Sequence, residues 1–467
     1  MDNTTDDTKG GILQGSPGSE YFIQKLRELN GGLLKTYRVN TYGCQMNAHD
    51  SEKLAGLLSA MGYSPASGEE ADLYVFNTCC VRENAENRLF GNLGALKRAR
   101  EDGRAFKAVV CGCMPQRPGA AKKLRKSYKT ADVIFGTFNM RKFPELLYTN
   151  IMTGEPVIDI WDGRENDFYE LDSLRESKFS VSVNIMYGCD NFCSYCVVPY
   201  VRGRERSRPE ADILEEIRAA AAGGAVEALL LGQNVNSYGG GGDSFARLLE
   251  RIAGIDGIRR LRFMTSHPKD LSGELISAMR DLPQVCPALH LPFQSGSTRV
   301  LELMNRKYTK ESYLALAQKI RENIPDVALT TDIIAGFPTE TEADFADTLD
   351  VVGKARFLNA YTFIYSRREG TPAAELSGQI PPEVSSERFS RLCEKVRESA
   401  ERESGRFVGR RLSVLADSFD EKTGVLTGRT QHGAITHIEN APDLTGRFAD
   451  VLITESKTYY LLGKIAE

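Results

Sequence analysis

The sequence predicts an α/β protein with an open parallel-sheet domain at the N-terminus, a partial (βα)6 barrel in the centre and a small all-β barrel at the C-terminus. Strand and helix signals alternate from residue 34 to 150, and again from residue 179 to about 400, which is typical of parallel sheets. From residue 405 onward, short β-rich runs are joined by turns containing Gly or Asp, which favours a small antiparallel barrel.

Length and composition limit the class of protein. A chain of 467 residues with 41% hydrophobic residues predicts several domains with real cores. We expect these boundaries: 1–33, a disordered tail and a short helix; 34–150, the sheet domain; 151–178, a polar acidic connector; 179–404, the barrel domain; and 405–467, the C-terminal domain. A net charge of -4 argues against bulk binding of nucleic acid, so an RNA partner requires local basic clusters.

The chain has no apolar run of membrane-spanning length, and its first residues lack the pattern of a signal peptide. Ten cysteines in a chain of this length do not indicate a disulfide framework, and several are closely spaced, which favours metal binding in a reducing compartment. We therefore expect a cytoplasmic protein without membrane contact, acting as a monomer.

Each strand predicted in the first domain is followed by cysteine. The predicted strands are Leu34–Thr41, Ala71–Asn77 and Ala105–Val110, and the predicted helices are Ser51–Met61 and Glu83–Arg100. The thiols are those of Cys44, of Cys79 or Cys80, and of Cys111 or Cys113. Because functional groups gather at the carboxyl ends of parallel strands, three thiols here predict a metal cluster, although any one cysteine can simply be a buried small side chain.

The central segment contains six strand–helix units. The predicted strands are Ser180–Met186, Ala228–Gly232, Arg262–Thr265, Ala288–Pro292, Ala328–Ile334 and Ala360–Tyr365, and the clearest helices are Arg208–Ala222 and Thr309–Asn323. Six such units predict a barrel, or part of one, with its active site at the carboxyl ends of the strands.

A cysteine triplet follows the first of these strands. Cys189, Cys193 and Cys196 can hold three corners of a cubane iron–sulfur cluster and leave the fourth iron open for chemistry. A structural zinc site needs a fourth Cys or His close by, and none follows within the next forty residues. Zinc and buried thiols are the alternatives.

Two groups of arginines stand where RNA phosphate can be met. Arg202, Arg204, Arg206 and Arg208 alternate directly after the cysteine triplet, at the mouth of the predicted site. Such a run is also typical of a solvated surface. Arg406, Arg410 and Arg411 cluster at the entrance of the C-terminal domain.

Eight stretches carry a resemblance to a known family. They are NTYGCQMN (Asn40 to Asn47), NTCCVREN (Asn77 to Asn84), CGCMPQR (Cys111 to Arg117), YGCDNFCSYCVVPYVRGRERSR (Tyr187 to Arg208), LLGQNVNSYG (Leu230 to Gly239), RFMTSHP (Arg262 to Pro268), LPFQSGS (Leu291 to Ser297) and DIIAGFPTET (Asp332 to Thr341). From about residue 34 to its end, the chain resembles the radical S-adenosylmethionine (SAM) methylthiotransferases. The wording around Cys44 is closest to the MiaB branch, the tRNA-2-methylthio-N6-dimethylallyladenosine synthases.

The resemblance implies a methylthiotransferase domain, a radical SAM domain and a TRAM domain, in that order. It implies that Cys44, Cys79 and Cys113 ligate an auxiliary [4Fe-4S] cluster and that Cys189, Cys193 and Cys196 ligate the radical SAM cluster. Polar side chains at other strand ends suit the amine, carboxylate, ribose and adenine of SAM. These are Gln233, Asn234, Ser266, Ser295 and Asp332. For Asp332, a structural hydrogen bond is an equal alternative. We prefer to interpret His267 as a satisfied loop histidine and assign no protein acid or base.

The implied reaction is methylthiolation of carbon 2 of N6-dimethylallyladenosine, next to the anticodon of tRNA, with two SAM and two clusters. The implied partners are the anticodon stem–loop and an electron donor such as flavodoxin or ferredoxin. The alternatives within the family are threonylcarbamoyladenosine in tRNA or a ribosomal-protein aspartate as the substrate. An alternative of another class is a non-catalytic, metal-stabilised RNA-binding protein.

Overall fold

The computed structural model describes residues 18–31, 33–80, 83–161, 171, 173–175, 177–439 and 441–466, with backbone alone at 83–85 and 442. Most of the predicted disordered tail and residues 162–170 of the predicted connector lie outside these ranges. The chain divides into two compact units, Met1–Leu174 and Arg175–Glu467. Within the described ranges, no helix has both the length and the apolar character needed to cross a membrane.

Across its described residues, the first unit forms one six-stranded parallel sheet in the order β2-β1-β3-β4-β5-β6. Its strands are β1 (Thr36–Thr41), β2 (Ser64–Pro65), β3 (Leu73–Thr78), β4 (Lys107–Gly112), β5 (Val133–Phe135) and β6 (Val157–Asp159). The predicted open parallel sheet is thus confirmed, and the three cysteine-bearing strands β1, β3 and β4 are neighbours.

Helices cover both faces of this sheet, because its buried strands carry apolar side chains on both sides. The helices are α1 (Ser19–Leu29), α2 (Gln45–Ala60), α3 (Glu83–Glu101), α4 (Cys113–Gln116), α5 (Ala120–Ser127) and α6 (Phe143–Thr153). Leu26, Leu54 and Leu147 belong to the core on one face, and Leu89 and Leu124 to the core on the other.

Two features of this unit differ from the prediction. Helix α2 begins at Gln45, six residues before the predicted start at Ser51. Its first turns bury polar residues such as Asn47 and His49, so the apolar periodicity does not show them. Strands β5 and β6 have three residues each and were too short to be recognised, and β6 lies inside the predicted connector.

The second unit begins with the predicted partial barrel. Its strands are β7 (Ser180–Asn184), β8 (Met186–Tyr187), β9 (Arg206–Ser207), β10 (Glu227–Leu231), β11 (Arg260–Phe263), β12 (Ala288–His290), β13 (Ala328–Ala335) and β14 (Asn359–Ile364). Six of them are parallel, in the sets β11-β10-β7 and β12-β13-β14, and β8 pairs antiparallel with β9. A parallel bridge between Leu261 and Val285 connects the end strand β11 to the chain leading into β12.

Amphipathic helices enclose this barrel and bury one continuous apolar core against it. They are α7 (Val198–Arg202), α8 (Glu210–Ala222), α9 (Ser244–Ala253), α10 (Gly273–Asp281), α11 (Thr298–Leu303), α12 (Lys310–Asn323), α13 (Glu342–Ala355), α14 (Pro372–Glu375) and α15 (Pro382–Gly405). Thr309 and Thr341 start α12 and α13 with reciprocal capping bonds, which satisfy otherwise unpaired backbone N–H groups.

The C-terminal segment closes into a barrel in the order β15-β16-β17-β19-β18, as predicted. Its strands are β15 (Arg411–Asp420), β16 (Val425–Thr430), β17 (Ile435–Glu439), β18 (Phe448–Ser456) and β19 (Tyr460–Ile465). Its core includes Ala328 and Leu358, which lie where β13 and β14 begin. Arg260, the first residue of β11, donates to the carbonyls of Arg429 and Ser413 at 2.9 and 3.1 Å. The small barrel therefore packs against the amino ends of the large barrel's strands.

Candidate iron–sulfur and SAM site

The loop with Cys189, Cys193 and Cys196 leaves the carboxyl end of β7 by way of β8 and is fixed from outside. The backbone N–H and the Oγ of Ser194 donate to the carbonyls of Met304 and Leu303, at 3.0 and 2.7 Å. The carbonyl of Ser194 accepts from the N–H of Ala373 at 2.8 Å. These bonds fix the middle of the loop between α11 and α14.

Each sulfur in this loop accepts one hydrogen bond. Asn191 Nδ2 donates to Cys189 at 3.4 Å, Arg306 Nη1 to Cys193 at 3.5 Å, and the backbone N–H of Val198 to Cys196 at 3.5 Å. Donors directed at all three sulfurs suit thiolates, because a thiolate only accepts, and Arg306 adds a full positive charge. The donor set therefore fits an iron–sulfur cluster.

The thiols are close enough to influence one another. Burial raises the pKa of Cys189, and the nearby Cys193 raises it further. Burial, followed by Cys193, raises the pKa of Cys196 to about 12. Without a metal these two thiols stay protonated at neutral pH, so cluster binding must displace their protons.

Among the described residues, no three His, Cys, Asp or Glu side chains are arranged to hold a single metal ion. Each thiolate of a cubane cluster binds a different iron. Thiolates that hold a cluster therefore stand further apart than the ligands of one ion.

The polar residues expected to hold SAM lie at the carboxyl ends of the barrel strands. Ser266 is buried, and its Oγ has no hydrogen-bond partner among the described residues, whereas Ser295 Oγ accepts from the N–H of Ser297 at 3.3 Å. The residues before these serines, Thr265 and Gln294, have φ of 69° and 66°. Left-handed backbone is costly for such residues and clusters at functional sites. An unsatisfied buried hydroxyl beside it fits a ligand's polar group.

Asn234 has a structural function that its position did not predict. Its Nδ2 donates to Asp270 at 2.7 Å, and its Oδ1 accepts from the N–H of His267 at 3.2 Å. Both ends of the amide are therefore used to fix the loop after β11. Gln233, next to it, is partly buried.

His290 is a site residue that sequence reasoning missed. Its Nε2 lies 3.4 Å from the carboxylate of Asp332 on the neighbouring strand β13, and its Nδ1 is 2.9 Å from Thr330 Oγ1. Asp332 thus has a protein partner and remains partly exposed. The signal was the last position of β12, where a histidine in an apolar strand stands level with the other strand-end groups.

His267 is satisfied, as expected. Its Nδ1 accepts from the N–H of Lys269 at 3.2 Å. Burial first, and then the charges of Arg306 and Lys269, lower its pKa to about 2. The ring is therefore neutral at physiological pH.

The cysteines of the first unit meet at the carboxyl edge of its sheet. Gly43 has φ of 127°, and a Cβ there would stand 2.5 Å from Cβ of Cys79, so the turn that carries Cys44 lies directly against Cys79. Cys80 contacts Cys113, whose thiol raises the pKa of Cys80 ahead of burial. Cys111 packs in an apolar core.

Asparagine side chains hold this edge together. Asn47 Nδ2 donates to Asn77 Oδ1 and to the carbonyl of Thr78, at 3.3 and 3.1 Å, and Asn77 Nδ2 donates to the carbonyl of Asn47 at 2.8 Å. Asn47 Oδ1 also accepts from the thiol of Cys44 at 3.5 Å. The network connects the first turn of α2 to the end of β3.

The four arginines after the triplet are placed differently from one another. Arg202 and Arg208 are buried, and Arg208 is ion-paired with Glu216 at 2.8 Å. Arg206 is partly buried. Arg204 is exposed and bonds to Asp190 through two nitrogens, at 2.6 and 3.1 Å. Arg204 is thus the most accessible of the four.

The second arginine group lies at the far end of the barrel from the triplet. Arg406 and Arg410 bind the carboxylate of Asp326 at 3.3 and 2.8 Å, and His432 Nε2 lies 2.7 Å from it. Arg411 is exposed at the start of β15. Asp326 precedes β13, whereas the triplet follows β7 at the opposite end of the strands. Only an RNA that extends past the barrel can meet both groups.

Comparison with protein families gives three matches along the chain. Residues 36–136 match Uncharacterized protein family UPF0004, residues 183–352 match the Radical SAM superfamily, and residues 405–466 match the TRAM domain. Among solved structures, the radical S-adenosylmethionine methyltransferase TsrM from Kitasatospora setae, with cobalamin and a [4Fe-4S] cluster bound, is similar with a TM-score of 0.53 at 15% identity over 73% of each chain. That likeness shows the fold alone.

Two curated relatives match nearly the whole chain. The tRNA-2-methylthio-N(6)-dimethylallyladenosine synthase of Caldicellulosiruptor saccharolyticus is 51% identical over 95% of this chain and 96% of the relative. The protein of the same name from Acetivibrio thermocellus is 51% identical over 95% of each chain. The chain belongs to the tRNA-2-methylthio-N(6)-dimethylallyladenosine synthase family of radical SAM enzymes.

Proposed function

We propose that this protein replaces the hydrogen on carbon 2 of N6-dimethylallyladenosine, next to the anticodon of tRNA, with a methylthio group. The observation that carries the proposal is the 51% identity to enzymes named for this product across 95% of the chain. The same three matched regions run from residue 36 to residue 466, so the likeness includes both cysteine groups and the small barrel.

The protein binds an iron–sulfur cluster and SAM, and we infer that it holds two [4Fe-4S] clusters. Cys189, Cys193 and Cys196 would hold the radical SAM cluster. Cys44, Cys79 and Cys113 would hold the auxiliary cluster, with Cys80 beside them. Together the two clusters and SAM supply reductive cleavage of SAM and a methylated sulfur for transfer.

The choice of auxiliary ligands has structural support. Cys111 is packed in the apolar core of the first unit, whereas Cys113 begins α4 at the strand-end edge. Cys79 lies against the turn that carries Cys44. Cys80 is fully buried and contacts Cys113, so it can support the ligand set without belonging to it.

The protein's own residues position and shield the reaction rather than exchange protons. Ser266 offers a buried hydroxyl to SAM, Asp332 and His290 present a polar pair beside it, and Gln233 and Ser295 stand at neighbouring strand ends. His267 stays neutral because its pKa is lowered to about 2, and its Nδ1 already accepts a backbone hydrogen bond. We therefore assign no protein acid or base.

The RNA would meet the protein at both ends of the barrel. Arg204 is exposed next to the triplet, and Arg411 is exposed on the small barrel. We further infer that a low-potential protein such as flavodoxin or ferredoxin supplies the electrons and that the chain acts as a monomer.

The test uses anaerobically reconstituted protein, SAM and dithionite with tRNA that carries or lacks the prenyl group. Mass spectrometry of the nucleosides should find 2-methylthio-N6-dimethylallyladenosine from the prenylated tRNA alone. A Cys189/Cys193/Cys196→Ala variant should give no product. Product from threonylcarbamoyladenosine, or binding of RNA with no SAM cleavage, would overturn the proposal.

A further inference from the structure

Two exposed aromatic side chains flank the middle of the cysteine loop. Phe192 is 38% exposed and Tyr200, on α7, is 47% exposed. Their rings form an edge-to-face pair with centroids 6.3 Å apart and planes at 79°. The guanidinium of Arg204 lies over the Phe192 ring, 5.5 Å from its centroid. We call Phe192, Tyr200 and Arg204 the aromatic surface.

The aromatic surface is held in a costly conformation. Phe192 has φ of 45°, in the left-handed region that a bulky residue rarely adopts. Asn305 Nδ2 holds the loop there, donating to the carbonyls of Asn191 and Phe192 at 3.2 and 3.0 Å. Such a conformation persists only where the surroundings impose it, and it is typical of functional sites.

Arg204 is also held in place. The carboxylate of Asp190 binds its Nε and Nη2, at 2.6 and 3.1 Å, so the guanidinium is fixed over the ring although its side chain is 73% exposed. The aromatic surface is therefore assembled before any ligand arrives, and little side-chain freedom is lost on binding.

We propose that the aromatic surface stacks an unpaired base of the tRNA loop that carries the target adenosine. This inference rests on the proposed function. Single-stranded RNA is recognised by stacking its bases on aromatic rings and guanidinium planes. Phe192 directly precedes Cys193, so a base stacked there lies beside the triplet. The exposed charge of Arg204 suits the phosphate of that nucleotide.

The experiment measures the equilibrium affinity of reconstituted full-length protein for a synthetic anticodon stem–loop RNA carrying N6-dimethylallyladenosine, by fluorescence anisotropy. Phe192→Leu and Tyr200→Leu keep apolar bulk and remove the ring. Each should weaken binding about tenfold, because one base–aromatic stack is lost. Phe192→Trp keeps a stacking face and should restore wild-type affinity.

Tyr21→Leu is the matched control, because Tyr21 is an aromatic residue of similar exposure (45%) on α1, outside the site. It should bind like the wild type. Iron content and the visible spectrum of every variant must match the wild type, which separates loss of stacking from loss of the loop.

Equal affinity in the wild type and both Leu variants would overturn the aromatic surface as an RNA site. Equal affinity together with slower cluster reduction by flavodoxin would overturn it in favour of a protein partner. A wild-type protein that binds prenylated and unmodified RNA alike but makes no product would instead contradict the proposed function. The two failures are thus distinguishable.

Discussion

Arg306 donates a hydrogen bond from Nη1 to Sγ of Cys193 at 3.5 Å, and both side chains are buried. The guanidinium also donates to the carbonyl of Pro292 at 2.7 Å and to Tyr308 Oη at 2.9 Å. A fixed cation beside a cluster thiolate stabilises the reduced cluster, because reduction adds negative charge.

Replacing Arg306 should therefore make the radical SAM cluster harder to reduce. For Arg306→Gln we expect a midpoint potential about 60 to 100 mV more negative, equivalent to the loss of one charge-assisted hydrogen bond. Arg306→Lys keeps the charge and should show a smaller shift. An EPR-monitored redox titration measures this, with Arg280→Gln as a surface control. An unchanged potential in Arg306→Gln would show that the cation does not act on the cluster.

Ser266 should matter to SAM and not to folding. Its buried Oγ has no partner among the described residues, so Ser266→Ala should leave the free energy of unfolding unchanged or slightly higher. SAM affinity, measured by calorimetry, should fall about fivefold to tenfold, equivalent to about 1 kcal/mol for one lost hydrogen bond. Ser295→Ala is the contrast, because Ser295 Oγ already accepts from the protein and its loss should cost about 1 kcal/mol of stability. Unchanged SAM affinity in Ser266→Ala would exclude that contact.

Gly43 should be essential to the auxiliary thiol group. A Cβ at this position would stand 2.5 Å from Cβ of Cys79, so Gly43→Ala must displace one cysteine-bearing turn. Gly103 also has positive φ, 90°, but a Cβ there meets no heavy atom within 4 Å. Gly103→Ala should therefore cost only the backbone strain, about 1 kcal/mol. Iron content should fall by about half in Gly43→Ala and stay at the wild-type level in Gly103→Ala. Full iron content in Gly43→Ala would mean that the close approach is not required.

His432 should make the second unit sensitive to mild acid. Burial lowers its pKa from 6.5 to about 4, although Asp326 opposes the shift. Between these values the unfolded chain binds a proton that the folded protein does not, so stability falls as the pH falls. From pH 7.5 to 5.5 the loss should be about 1.4 kcal/mol.

Asp326 does not contribute in that window. Burial pushes its pKa upward, but Arg410 and His432 outweigh burial and lower it to about 2, so its folded and unfolded values both lie below pH 5.5. Urea unfolding followed by circular dichroism at both pH values should show the loss in the wild type and a smaller one in His432→Gln. An equal loss in both proteins would assign the pH dependence to other groups.

The sequence predicted the architecture well because strand ends and cysteines coincide. The spacing of Cys189, Cys193 and Cys196 is local, so it could be interpreted without a structure. The choice of Cys113 over Cys111 could not be made from spacing, since it depends on which thiol the sheet buries in its core.

The least predictable features were polar side chains that bind other protein groups. Asn234 was expected to hold SAM but binds Asp270 and the backbone of His267. Arg208 and Arg406 look basic in the sequence, but each has a carboxylate partner in the structure. His290 was missed because its partner Asp332 is far away in the sequence. Such partners become visible only when the chain is folded.

The most direct test of the central claim, that two three-thiolate sets each hold a cubane cluster, is iron and acid-labile sulfide analysis of anaerobically purified protein. The wild type should contain about eight irons per chain. The Cys44/Cys79/Cys113→Ala and Cys189/Cys193/Cys196→Ala variants should each contain about four. A zinc-loaded, colourless wild type, or iron content unchanged in either variant, would contradict the account.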